Sequence, residues 1–130
     1  MKARLVVLIA TVVLSGFALG SCSTQARAER KGKEAADEIC KAKSANSADA
    51  AQRHVNRAND KINDLARFTG RDIREDVRDL DANLNQMARG NATQQDVSKI
   101  MRSIEDARAS ARGNAVAVYD GMLEGLANCD

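Results

Sequence analysis

His54 is the only histidine in the 130 residues. Any Ser-His-Asp or Cys-His relay must therefore be built on it. It stands one position before Val55, at the edge of an apolar helical stripe, where a partly exposed structural residue is expected. A di-iron bundle needs a Glu three residues ahead of a histidine, twice over. The residue at that position before His54 is Ala51. The cysteines, Cys22, Cys40 and Cys129, contain no Cys-x-x-Cys, so a redox dithiol and covalent haem lack their motif. The run from Asp79 to Asn85 begins like a calcium loop. It fails where the loop needs Gly, at Leu84, and where it needs the bidentate Glu, at Gly90. Asn91-Ala92-Thr93 has the form of a glycosylation acceptor and reads here as a turn and helix cap. The expectation is a non-enzyme with no cofactor and no metal.

The elements that carry these residues read as all-α. Pro is absent, which removes the commonest helix breaker, and Ala, the best helix former, is abundant. The helical pattern sets in at Glu34, with Ala36, Ile39, Cys40 and Lys43 on one face. After Ser44-Ala45-Asn46-Ser47, which offers an N-cap, a stripe runs through Ala51, Val55, Ala58, Ile62 and Leu65. Phe68 closes it, and Thr69-Gly70 ends the helix. A third helix, from Gly70 to Arg89, repeats the spacing at Ile73, Val77, Leu80, Leu84 and Met87. Its mixed-sign exterior offers the pairs Glu75–Arg78 and Arg71–Glu75. Thr93 begins a fourth helix, with Asp96 placed as in a capping box. Its stripe is Val97, Ile100, Ile104, Ala107 and Ala111. Past Gly113-Asn114 the phase slips, because the bulky residues become Val116, Tyr119, Met122, Leu123 and Leu126. The fold expected is a small antiparallel helical bundle of three to five helices. Gly121 and Gly125, four apart, suit a close helix–helix contact.

The N-terminus has a separate logic. Met1-Lys2-Ala3-Arg4 is short and positive, and Leu5 to Leu19 carry no charge. A positive start, an apolar run and small residues at its end define a secretory signal. Leu19-Gly20-Ser21-Cys22 follows in the place of a lipobox. This end of the chain resembles bacterial lipoproteins, over residues 1–22 only. The resemblance implies cleavage before Cys22 and acylation of its thiol, palmitate being one such acyl group. It also implies retention at the cell membrane or outer membrane, facing away from the cytoplasm. The expected organisation is a signal peptide over 1–21, a lipidated cysteine and tether over 22–33, and a bundle domain over 34–130.

With Cys22 lipidated, Cys40 and Cys129 remain, and two cysteines in an exported chain point to one disulfide. That bond has a topological consequence. An unbroken last helix from Thr93 to Asn128 would be about 54 Å long against about 30 Å for the two before it. Cys129 would then overshoot, far from the roughly 7 Å that a disulfide allows between Cα atoms. An intramolecular bond requires the chain to turn back near Gly113-Asn114.

Charge excludes one class of partner. The chain has 20 Lys+Arg and 18 Asp+Glu, and two of the cations, Lys2 and Arg4, belong to the signal segment. The remainder is balanced and has few aromatics, unlike a nucleic-acid binder. Arg27, Arg30, Lys31 and Lys33 cluster near the anchor, where they suit anionic headgroups as well as a solvated helix start. The function expected is a lipid-anchored, non-enzymatic interaction or structural module of the cell envelope. Its partners are the membrane, through the lipid on Cys22, and an envelope protein. The alternative is a small apolar-ligand carrier with its site between Ala-lined helices.

Overall fold

A computed structural model describes residues 19–129, with side chains from Thr24 onward. Residues 1–18 of the expected signal peptide, and the Cys22 thiol, lie outside the described part. Six helices and no strand form it: α1 (Leu19–Lys43), α2 (Ala48–Thr69), α3 (Ile73–Asp76), α4 (Leu80–Gln86), α5 (Gln94–Ala109) and α6 (Asn114–Ala127). A π-helical turn, Met87–Asn91, follows α4. The chain rises along α1, descends along α2, rises through α3 and α4, descends along α5 and rises again along α6. It is the all-α antiparallel bundle expected, with α1 and α6 parallel to each other.

The stripes are the core. Every member of the α2 stripe is buried, and so are Ile73, Val77, Leu80, Leu84 and Met87 and, on α5, Val97, Ile100, Ile104 and Ala107. The caps are those the sequence offers. Ser47 Oγ accepts from Ala50 N at 3.1 Å, and Thr93 N donates to Asp96 Oδ2 at 2.8 Å. Gly70, at φ 68°, closes α2 by donating to Ala66 O at 2.8 Å.

The last prediction of topology is also met. Gly113 takes φ 62° and ψ −131° between α5 and α6, a backbone that favours glycine. α6 then returns to the end where α1 finishes.

Two expectations need correction. The helix begins earlier than Glu34, since α1 starts at Leu19 and runs through 22–33. Its buried residues there are Ala28 and Gly32, too small to leave an apolar signal in the sequence. The second correction is to the stretch 70–89, which is two helices and a π turn rather than one helix. This raises the count to six, one above the expected range. Val77 is extended at φ −98°, ψ 107°, and Asp79 is left-handed at φ 58°, ψ 18°. The two departures reset the phase so that Leu80 still reaches the core. Arg74 bridges the break, donating from Nε to Asp81 Oδ1 at 2.9 Å and from NH2 to Asn59 Oδ1 at 2.8 Å. It also bonds Asn63. With the helix broken, the pairs Glu75–Arg78 and Arg71–Glu75 do not form. Arg71 instead grips Asp76 with two bonds of 2.8 and 2.9 Å.

Candidate functional site

Cys40 lies in the last turns of α1, and Cys129 follows the end of α6. The two are joined, with Cα atoms 5.2 Å apart, within the range a disulfide requires. The bond ties residues 89 apart in sequence. A loop of that length is worth up to about 4–5 kcal/mol in the chain-entropy model.

Below the disulfide, α1 and α6 approach with almost no side chain between them. A Cβ on Gly125 would stand 2.6 Å from the Ala36 Cβ, and one on Gly32 would stand 3.1 Å from Met122 N. A Cβ on Gly121 would overlap the Glu29 carbonyl oxygen. This is the close contact the Gly121–Gly125 spacing predicts, and it identifies Gly32 as a third member. Lys33 lies at the edge of the seam, 3.2 Å from Glu124 on α6 and 3.5 Å from Glu29. Those two carboxylates, Glu124 first, raise its pKa. The register is set by Gly121 on Glu29 and by Cys129 on Cys40. It makes Cys22, seven residues before Glu29, level with Asn114, the first residue of α6 and seven before Gly121. The alanines that suggested room between helices are thus taken up, on α1, by backbone approach.

His54 is half-buried, as the sequence implied, and it has a partner the sequence reading missed. Its Nδ1 is 3.2 Å from Oε2 of Glu38, a carboxylate only 6% exposed. Lys41 Nζ lies 3.7 Å from Oε1 of the same group. Glu38 sits between Ala35 and Ala42 on the buried face of α1, so its position was readable once the helix was known. A charge there needs the partners it has.

At the opposite end, Arg71, Asp76 and Tyr119 meet. Tyr119 is 1% exposed, and its hydroxyl faces the Asp76 carboxylate. Burial, and then the nearby Asp76 charge, push its pKa up to about 12. Arg71 holds the Asp76 carboxyl below its usual range. Asp76 and Arg71 line a cavity of about 420 Å³ with Thr69, Ser110, Arg112 and three alanines. No spacing in the sequence brings these together, because they come from four helices and two turns.

No helix among the described residues is long and apolar enough to cross a membrane. No group of three or more His, Cys, Asp or Glu among them is placed to hold a metal ion. Fold and sites define a disulfide-closed all-α bundle. No family model matches the chain, and comparison with curated proteins and with solved structures finds no match.

Proposed function

We propose that the protein is a lipid-anchored module of the bacterial cell envelope that acts by contact rather than by catalysis. The observation that carries the reading is the sequence Leu19-Gly20-Ser21-Cys22 behind a positive start and a charge-free run. The Cys40–Cys129 bond supports it, since such bonds persist in oxidising compartments outside the cytoplasm. The continuity of α1 adds a physical consequence. A lipid on Cys22 would join a helix directly, with no flexible linker, and would hold the Gly113 end of the bundle at the bilayer surface. The far end, with the disulfide, would face an envelope partner. Stable anchoring takes two or more acyl chains, and one chain binds only reversibly.

Labelling cells with radioactive palmitate tests the anchor. The wild-type chain is expected to take up label and sediment with membranes. Cys22→Ala is expected to lose the label and the cleavage before residue 22. Label retained in Cys22→Ala would contradict the assignment.

A further inference from the structure

From Thr24 onward, α1 buries one large apolar side chain, Ile39, where α2, α5 and α6 each bury three or more. The rest of its core face is small: Ala28, Gly32, Ala35, Ala36 and Ala42. The attraction that docks a helix grows with the apolar area it buries, so α1 is the most weakly docked of the long helices. The other large buried residues belong to α2 through α6 and the turns between them, which share one core. Among the described residues, the ion pairs that cross from α1 are Lys33–Glu124 at 3.2 Å, Glu34–Lys61 at 3.3 Å and Glu38–His54 at 3.2 Å. The first two lie at the surface, where such pairs contribute little. Glu38 is buried, and undocking would return its charge to water, which offsets the loss of its partner. The Cys40–Cys129 bond therefore supplies much of what keeps α1 in place, by joining ends 89 residues apart in sequence. Its two sulfurs are not equally reachable. Cys129 is buried, whereas Cys40 is half-buried and lines a surface depression with Asp37, Glu124 and Asn128.

We propose that the Cys40–Cys129 bond is a redox latch on α1, opened at Cys40 by a protein dithiol. One thiolate of the dithiol attacks Cys40 Sγ. A mixed disulfide forms there, and Cys129 leaves as a thiolate and takes up a proton. The second thiol of the reductant loses its proton and attacks its own partner sulfur, so that Cys40 leaves as a thiolate and is protonated in turn. Two electrons pass: this bond becomes two thiols, and the dithiol becomes a disulfide. α1 then undocks as far as the turn at 44–47, while α2 through α6 keep their shared core. The latch does not depend on the lipid anchor. Its consequence for an anchored chain does rest on that reading: α1 is the piece between the lipid and the bundle, and opening the latch turns a stiff stalk into a jointed one.

Hydrogen exchange of the full chain, before and after dithiothreitol, reads the latch segment by segment. Intact mass confirms that the bond is open, by the gain of two hydrogens. Amides over 28–43 are expected to exchange at least about tenfold faster in the reduced chain, while those of α2 and α5 keep their rates. The double variant Cys40→Ser with Cys129→Ser should match the reduced chain with no reductant present, which separates the bond from other effects of thiol treatment. Unchanged exchange over 28–43 once the bond is open, or an equal acceleration in every helix, overturns the proposal. The point of attack has its own readout. A thioredoxin whose resolving cysteine is replaced by serine cannot complete the exchange and should be trapped on Cys40. A mixed disulfide on Cys129 alone, or none, likewise overturns it.

Discussion

The α1–α6 seam and the α3–α4 pass solve the same problem in opposite ways. Along the seam, side chains are removed. Glycines at 32, 121 and 125 let two regular helices touch backbone to backbone, and a disulfide fixes the end. Along the α3–α4 pass, side chains are added. The backbone is irregular at Val77, Asp79 and Gly90, and polar groups from Asn59, Asn63, Asp72 and Asp81 hold it. The seam tolerates no added atom. The broken pass tolerates a change of backbone wherever the polar bridge and the buried stripe survive.

Gly121→Leu is the most severe way to break that comparison. The side chain has no space at Glu29, so α1 and α6 must part. Overpacking costs typically about 1–3 kcal/mol and sometimes more, and here the upper end is expected because the obstacle is backbone. Gly70→Ala is the contrast. A Cβ there meets nothing within 4 Å, and only the positive φ is penalised, at about 1–2 kcal/mol. Denaturant midpoints compare the two. Equal losses would mean that the seam is not closely packed.

Tyr119 joins the two regions, since it rises from α6 and ends beside Asp76 of α3. The unfolded chain releases the phenolic proton near pH 10 and the folded chain near about 12. Stability from the protonated form is full below pH 10 and is lost as pH rises through about 12. The loss reaches up to about 2–3 kcal/mol for a shift of this size. Asp76 acts with the opposite sign, because its lowered pKa gives stability that disappears as pH falls below its ordinary 3.8. Absorbance titration of the single tyrosine in the folded chain gives the midpoint directly. A midpoint at 10 would place the ring in solvent.

The smallest effect is expected at Asp79. Its left-handed backbone, φ 58°, strains any residue with a Cβ, and its side chain makes no capping bond. Asp79→Gly should stabilise by up to about 1 kcal/mol, set by strain relief against the added freedom of the unfolded chain. Calorimetric melting measures it. A clear loss would mean that the aspartate side chain holds the break together.

The two regions also differ in how far the sequence discloses them. The stripes of α2 and α5 were legible except for Ala111, which lies past the end of α5 and is only partly buried, because large apolar groups at helical spacing have one way to be buried. The turn at Gly113 was legible from a slip in phase together with a distance argument from two cysteines. The start of α1 was not, since Ala28, Gly32 and Ala35 are too small to register as a stripe although they are buried. The break at Val77–Asp79 was hidden for the reverse reason: its large residues keep a perfect stripe while the backbone departs from helix and returns. Asp76, which reads as a plain exterior residue, is engaged by Arg71 and faces Tyr119, contacts that only the assembled passes create. Glu38 falls between, since its place on the buried face of α1 follows from the helix but its partner His54 does not.

The seam rests on α1 and α6 running parallel with their upper ends joined, and peptide mapping under non-reducing conditions tests that most directly. The account predicts one linked pair of peptides, containing Cys40 and Cys129, from monomeric protein. Free thiols at both positions, or a linkage found only in a covalent dimer, would contradict it.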